Sequence, residues 1–306
     1  MSTRRLFTVV VLLGALVTSA CGGGSDPNPP ASPSTTAAPS VTPPPATHPI
    51  KGISSYVALG DSYTSGPAIA KQERDAGLCF RSDHNYASLL AHDLAVRSFK
   101  DVSCAGATTT NVLQPVRGTA DGLAQVAAVK ASTSLVTVGI GGNDSGLFGT
   151  LFQTCSQAAN TSRDICRPYI SSRLPQILAQ TQRAIAGTLE AVKARAPRAR
   201  VVLVGYLRLT PSTKGCANFP VTTSDLATVA GAESQLDAAM SRAAKAAGVE
   251  YVSMRALSAG HDACAGAKAW TNGASVANDD GFPLHPNSAG MRAVASTLER
   301  VLRNAH

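Results

Sequence analysis

Two side chains with the chemistry of a nucleophile and a base lie far apart in this sequence. Ser62 follows an apolar run in the stretch Gly-Asp-Ser, and a serine where a strand turns into a helix exposes its hydroxyl beside N–H groups that favour an anion. His285 precedes Pro286, a residue typical of a first helical turn, so His285 is predicted at a helix entrance. A neutral imidazole can take the proton of a serine hydroxyl and so activate it for attack on an acyl carbonyl.

Two further turns carry groups suited to the negative charge of such a reaction. Gly106 follows a second apolar stretch and can present its N–H without side-chain obstruction. Asn143, in Gly-Ile-Gly-Gly-Asn-Asp, offers a side-chain amide donor of the kind that stabilises an oxyanion. Taken singly, each residue has an ordinary structural explanation, as a helix cap, a turn residue or a structural histidine. The chemistry therefore depends on whether the fold brings the four together.

The elements that must position these residues alternate between strand and helix. Apolar runs predict strands over residues 55–60, 98–104, 135–140, 200–204 and 249–253. Helical spacing predicts helices over residues 86–96, 174–194, 223–247 and 288–302, with a mixed helical region over 109–129. Residues 145–170 contain two cysteines and fit either a stapled loop or a helical hairpin. This alternation predicts an α/β fold whose parallel sheet is covered on both faces, and functional groups gather at the carboxyl ends of such strands.

The composition favours one globular domain and argues against a nucleic-acid binder. The 306 residues are 44% hydrophobic and 15% charged, which is typical of a chain that buries a core. The net charge is +8, but only 5% of residues are aromatic, and nucleic-acid binders usually interleave aromatics with a longer basic stripe. One basic cluster is interpreted as the solvated end of a helix: Lys193, Arg195, Arg198 and Arg200. We expect a monomer without a cofactor or metal, since no Cys-x-x-Cys pair indicates a zinc site.

The first residues predict export. Two arginines precede the apolar run 6–17, and small residues lead to Cys21, so residues 1–20 are predicted to be a signal peptide and Cys21 to be lipidated. Thr18 stands where lipidation signals prefer an aliphatic residue, and ordinary secretion after Ala20 is the alternative. Residues 21–50 are then a lipidated cysteine and a disordered Pro/Ser/Thr tether. The domain of residues 51–306 is predicted to lie on the outer face of the bacterial cell membrane.

Six cysteines remain after Cys21, and an even number in an oxidising compartment predicts three disulfides. Spacing alone does not decide which cysteines pair, because six allow 15 connectivities.

The four chemical stretches resemble the blocks of the SGNH hydrolase superfamily: Gly-Asp-Ser, a glycine, Gly-x-Asn-Asp and a late histidine. They occur in that order across residues 56–292 and are most similar to the secreted actinobacterial lipase/esterase branch. The resemblance implies a three-layer flavodoxin-like sandwich and an acyl-enzyme on Ser62, with His285 as base. It also implies an oxyanion hole made by the N–H groups of Ser62 and Gly106 and by the Asn143 side chain. The implied disulfides are Cys79–Cys104, Cys155–Cys166 and Cys216–Cys264.

The chain departs from the superfamily pattern at one position. Most members place an aspartate three residues before the histidine to orient its ring, and this chain has Phe282 there. We expect the backbone carbonyl of Phe282 to accept from the ring, with Asp280 or Asp279 as the alternative. The predicted activity is hydrolysis of lipid or short acyl esters. Deacetylation of an O-acetylated polysaccharide and a non-catalytic surface-binding role on the same fold are the alternatives.

Overall fold

The computed structural model describes residues 49–115, 122–211, 213–276 and 279–304. The predicted signal peptide, Cys21 and nearly all of the predicted tether lie outside the described residues. In the part of the chain that is described, no helix combines the length and the apolar character needed to cross a bilayer.

Five parallel strands form one sheet at the centre of the domain. They are β1 (Ser55–Gly60), β2 (Ser98–Asp101), β3 (Leu135–Gly139), β4 (Arg200–Val204) and β5 (Glu250–Val252), in the order β2-β1-β3-β4-β5. This is the flavodoxin-like order, so the predicted fold class is confirmed. β2 is shorter than predicted, since the buried carboxylate of Asp101 accepts from the Ser103 N–H at 2.8 Å and from Asn85 at 2.7 Å where the strand ends.

Helices cover both faces of this sheet. They are α1 (Ser62–Ser65), α2 (Tyr86–Asp93), α3 (Thr109–Leu113), α4 (Leu147–Thr161), α5 (Cys166–Arg195), α6 (Leu226–Ala247), α7 (Met254–Leu257) and α8 (Ser288–Asn304). Side chains alternate along each strand: Val57 and Leu59 join the core under α5 and α6, whereas Tyr56 and Ala58 join the core under α2 and α8. Both faces are therefore apolar, as a covered parallel sheet requires.

Between residues 145 and 170 the structure forms a helical hairpin, one of the two predicted alternatives. The hairpin consists of α4 and the first turns of α5, joined by the disulfide between Cys155 and Cys166. α5 begins well before the predicted residue 174, because Cys166, Ile170 and Leu174 already lie four residues apart on its buried face. Pro175 lies inside α5 and removes only one helical hydrogen bond.

The predicted mixed region 109–129 contains the short helix α3 and a single 3₁₀ turn at Gln125–Ala128. The other two disulfides join Cys79 to Cys104 and Cys216 to Cys264. All three bridges are the pairs that the resemblance implies.

Candidate active site

The turn that carries Ser62 is packed tightly against the end of β1. The Asp61 carboxylate caps α1 by accepting from the Tyr63 N–H at 2.9 Å, which places Ser62 at the first helical position. A Cβ on Gly60 would lie 2.2 Å from Thr64 Oγ1, and one on Gly139 would lie 2.6 Å from the same atom. Glycines at both strand ends therefore let α1 lie directly across the sheet edge.

His285 reaches the hydroxyl of Ser62 from the other end of the chain. Its Nε2 atom lies 2.8 Å from Ser62 Oγ, and its Nδ1 atom lies 2.8 Å from the backbone oxygen of Pro283. Because a carbonyl can only accept, Nδ1 must carry the proton, and Nε2 is left to accept from the serine hydroxyl. Burial lowers the pKa of His285 from its usual 6.5, and the bond to the Pro283 carbonyl partly offsets this effect. The ring is thus held neutral and ready to receive a proton.

The prediction that the Phe282 carbonyl accepts from the His285 ring is wrong by one residue. That oxygen accepts instead from the backbone N–H of His285 at 3.2 Å and from the Asn272 side chain at 3.2 Å. The turn is closed with Leu284 in a left-handed conformation at φ +59, and the next carbonyl, that of Pro283, is the one that meets the ring.

The two aspartates that were the alternative lie elsewhere. The Asp280 carboxylate accepts from the N–H and hydroxyl of Ser288 at 3.0 and 2.6 Å, where it caps the start of α8. Asp279 lies in the exposed loop just before it, with a left-handed φ of +50. The contact at Nδ1 therefore comes from an uncharged backbone group.

The turns after β2 and β3 are joined to each other. Asn143 donates from its side chain to the Ala107 carbonyl at 3.1 Å. The neighbouring Asp144 accepts from the N–H and hydroxyl of Thr109 at 2.9 and 2.7 Å, and burial raises its pKa. Gly106 adopts a left-handed φ of +77 with open space around it. Asn143 lines the same cavity as Ser62 and His285, whereas Gly106 is not among the residues that line it.

Two residues that belong to no sequence motif form hydrogen bonds to the turns after β1 and β3. The Gln125 side chain accepts from the Gly60 N–H at 2.8 Å and donates to the Gly60 carbonyl at 2.9 Å, as a missing strand partner would. The Tyr206 hydroxyl donates to the Asp61 carboxylate and accepts from the Gly142 N–H at 2.7 Å. Tyr206 follows the end of β4, so the strand-end rule could have pointed to it, but nothing local marks Gln125.

The charge state of Asp61 depends on the hydrogen bond from Tyr206. Burial raises the pKa of the Asp61 carboxyl to about 7, against the opposing effect of the hydrogen bond from Tyr206. The Tyr206 hydroxyl thus links the turn that carries Ser62 to the turn that carries Asn143. On the opposite side, the Tyr63 hydroxyl donates to the Leu284 carbonyl at 2.9 Å and ties α1 to the loop of His285.

A largely apolar cavity of about 470 Å³ opens beside Ser62. The side chains that make it apolar are Phe148, Phe152, Tyr206, Leu209, Pro220, Ala274, Pro283 and Leu284. Phe148 and Phe152 come from α4, so the helical hairpin supplies one wall. Such a space suits an apolar ligand beside the Ser62 hydroxyl.

The residues of this site fall within a stretch that matches a known family. The profile of the GDSL-like lipase/acylhydrolase family matches residues 58–293. The chain belongs to this family. The predicted ester hydrolase of the SGNH kind is therefore confirmed at the level of the family.

Proteins from Streptomyces are similar to this chain along most of its length. Lipase 2 of Streptomyces coelicolor is 34% identical over 256 residues, which are 81% of this chain and 85% of that protein. The solved structure of phospholipase A1 from Streptomyces albidoflavus is 29% identical with a TM-score of 0.65, and the match covers 83% of this chain and all of the other. The extracellular lipase of Streptomyces rimosus is 29% identical with a TM-score of 0.64 over the same shares of the two chains.

Proposed function

We propose that this chain hydrolyses carboxylic esters through an acyl-enzyme on Ser62, with His285 as the general base. The observation that carries the proposal is the 2.8 Å contact between Ser62 Oγ and His285 Nε2 beside an apolar cavity. A nucleophile, a base with a fixed tautomer and a site for an acyl chain are the parts that acyl transfer requires.

The reaction follows from these positions. His285 takes the hydroxyl proton as Ser62 Oγ bonds to the acyl carbon, and the carbonyl oxygen gains a negative charge. The Asn143 amide and the N–H groups of Ser62 and Gly106 stabilise this oxyanion. When the intermediate collapses, the ester bond breaks and His285 returns the proton to the leaving alcohol. Water then hydrolyses the acyl-enzyme by the same steps.

The backbone acceptor at Nδ1 sets the properties of the base. The Pro283 carbonyl fixes the tautomer and the orientation of the His285 ring, as a carboxylate would. Being neutral, it stabilises the imidazolium of the transition state less than a carboxylate does. We therefore propose slower turnover than a Ser-His-Asp site gives, without loss of the mechanism.

The cavity favours lipid and apolar acyl esters as substrates. Aromatic and aliphatic side chains make most of its wall, with Gln153 and Ser156 as polar exceptions, and such a wall suits a hydrocarbon chain better than the hydroxyl-rich units of a polysaccharide. The similarity to Streptomyces proteins described as lipases and as a phospholipase A1 supports the same substrate class.

We propose that the protein acts as a monomer outside the cytoplasm, held at the outer face of the membrane by a lipid on Cys21. The arrangement of residues 1–21 and the similarity to an extracellular lipase support this location. Expression with labelled palmitate tests it. The wild-type chain should carry the label and sediment with membranes, and Cys21→Ser should lose both. Labelled Cys21→Ser protein would overturn the anchor.

The catalytic proposal is tested with p-nitrophenyl acyl esters and a serine-directed phosphonate. Wild-type protein should turn over the esters and be labelled at Ser62, and Ser62→Ala should lose both while its melting temperature stays close to that of the wild type. Ser65→Ala, three residues further in the same short helix, is the matched control and should keep both. Wild-type protein that is folded yet neither turns over an ester nor is labelled would indicate a non-catalytic binding protein instead.

A further inference from the structure

Three exposed apolar side chains belong to two segments that meet near His285. The described part of the chain exposes six large apolar side chains, and among them Leu78, Phe80 and Phe282 are exposed to 68%, 40% and 38%. The rings of Phe80 and Phe282 are 5.8 Å apart, and those of Phe282 and His285 are 6.1 Å apart. Leu78 is two residues from Phe80 on the same loop. These three residues are here called the apolar ridge, and two of them, Phe80 and Phe282, form a series of ring contacts that reaches His285.

The backbone holds the apolar ridge in place. Cys79, between Leu78 and Phe80, is buried and bonded to Cys104, which anchors that loop beside the end of β2. Phe80 itself has a left-handed φ of +47, a conformation that is costly for a bulky residue. The two loops of the ridge are joined where the Gly281 N–H donates to the Ala68 carbonyl at 3.1 Å. The exposure of these side chains is therefore built into the loops.

We propose that the apolar ridge docks the protein onto a lipid surface and so presents esters of that surface to Ser62. This proposal rests on the ester hydrolase function proposed above. The cavity beside Ser62 is lined by other side chains, and none of the three residues of the ridge is among them. A single small ester would be held in a concave site, whereas a contiguous exposed apolar patch of a few hundred Å² is often a surface that meets a membrane or another protein.

The size of the patch favours lipid over a protein partner. The exposed parts of the three side chains amount to on the order of 300 Å² of apolar surface. A stable protein interface, including one with a second copy of this chain, needs about 800 Å² on each side. Binding to lipid requires no such minimum area. A few apolar side chains can leave water and insert among the lipids, which need no surface of complementary shape.

The charges around the apolar ridge predict how it binds. Residues of both signs are exposed on its two loops: Lys71, Arg74, Asp75, Asp83 and Asp279. Such a mixture does not attract anionic headgroups strongly, so insertion of apolar side chains must supply the affinity. Binding should therefore occur on uncharged, zwitterionic vesicles and should persist in about 0.5 M salt, where charges are screened within a few ångströms.

A flotation assay with phosphatidylcholine vesicles tests the docking. The chain from residue 21 onward is used with Cys21→Ser, which excludes a lipid anchor, and with Ser62→Ala, which protects the vesicles from hydrolysis. Adding Leu78→Ser and Phe80→Ser should lower the fraction bound at least about 10-fold. Leu257→Ser is the matched control, because Leu257 is 46% exposed on α7, and it should leave binding unchanged.

A second measurement separates docking from catalysis. With Ser62 restored, the Leu78→Ser/Phe80→Ser variant should keep turnover of soluble p-nitrophenyl butyrate within about twofold and lose most of its activity on emulsified glycerolipid. Phe282 is left unchanged here because its ring contacts His285. If no ester is turned over but vesicle binding still depends on Leu78 and Phe80, the docking stands and the catalytic proposal fails.

Three results would overturn the docking proposal. One is equal vesicle binding with and without Leu78→Ser and Phe80→Ser. Another is binding only to anionic phosphatidylglycerol that salt abolishes, which would assign it to the net positive charge of the chain. The last is a dimer in sedimentation that these two substitutions dissociate, which would make the ridge an interface between copies.

Discussion

The turn of Ser62 and the loop of His285 are held in place in different ways. Asp61 and Ser62 are 1% and 7% exposed, and side chains from distant parts of the sequence, Gln125 and Tyr206, hydrogen-bond to this turn. The loop of His285 makes its contacts through its own carbonyls, two of which accept from the side chains of Tyr63 and Asn272. The His285 carbonyl accepts from the Asn272 N–H at 2.8 Å, and Pro283 supplies the acceptor for the ring.

This difference teaches where single substitutions should act. A turn braced by side chains loses its geometry when one hydroxyl or amide is removed. A loop that makes its contacts through its own carbonyls keeps its geometry when one of its own side chains changes, so we expect activity to depend on the imidazole more than on any other side chain of that loop. Four experiments test this comparison.

The largest effect is expected from His285→Ala. Without the base, the Ser62 hydroxyl keeps its proton at neutral pH, and kcat should fall by about 10⁴-fold or more. The variant should stay folded, because among the described residues the ring hydrogen-bonds only to the Pro283 carbonyl and the Ser62 hydroxyl and caps no helix or strand. Steady-state kinetics and thermal melting measure the two. A loss of kcat below tenfold would mean that another group activates Ser62.

A smaller effect is expected from Tyr206→Phe, which deletes only the hydroxyl between Asp61 and Gly142. The variant should lose about 1–2 kcal/mol of unfolding free energy, and kcat should fall about 10-fold at nearly constant KM, because the two turns are no longer tied together.

Tyr56→Phe is the control for that variant. The Tyr56 hydroxyl is also buried, and it lies 2.7 Å from Thr137 Oγ1 on the side of the sheet under α2 and α8. This control should lose stability by a similar amount and keep its kcat. Equal losses of kcat in both variants would show that Tyr206 acts only through general stability.

On the side of the base, Asp280→Ala should have a small effect on catalysis. Its carboxylate caps α8 through Ser288, so the variant should lose about 1 kcal/mol of unfolding free energy. The kcat should stay within about threefold of the wild type, since the ring acceptor is the Pro283 carbonyl. A drop of several hundredfold would restore Asp280 as the group that orients His285.

The smallest effect is a displacement of the pH profile. Burial lowers the pKa of His285 from its usual 6.5, and the base works only when neutral. Activity should therefore persist below pH 6.5, with the acid limb of kcat/KM centred at a lower pH than for a free imidazole. Asp280→Ala should leave this midpoint unchanged. A midpoint above 6.5 that falls in this variant would reveal a carboxylate paired with the imidazolium.

Several features of this protein could be predicted from short stretches of sequence. Strands β1 and β4 have their predicted bounds, because continuous apolar runs that end at glycine or polar residues determine a buried strand locally. The candidate site residues could be found because they follow these strands, and in a parallel sheet all carboxyl ends share one edge. The lipid on Cys21 and the tether remain predictions.

Other features were decided only by the tertiary structure. Gln125 is 65 residues from Gly60, and Tyr206 is 145 residues from Asp61, so no local sequence pattern predicts either hydrogen bond. The ring acceptor of His285 was missed by one residue because a turn closed through Leu284, and not the spacing of side chains, selects the carbonyl that meets the ring. Local patterns of apolar residues determined which segments form the sheet and which residues stand at its edge. The groups that meet there were decided by packing, since hydrogen bonds require a fit of a few tenths of an ångström that only the folded chain provides.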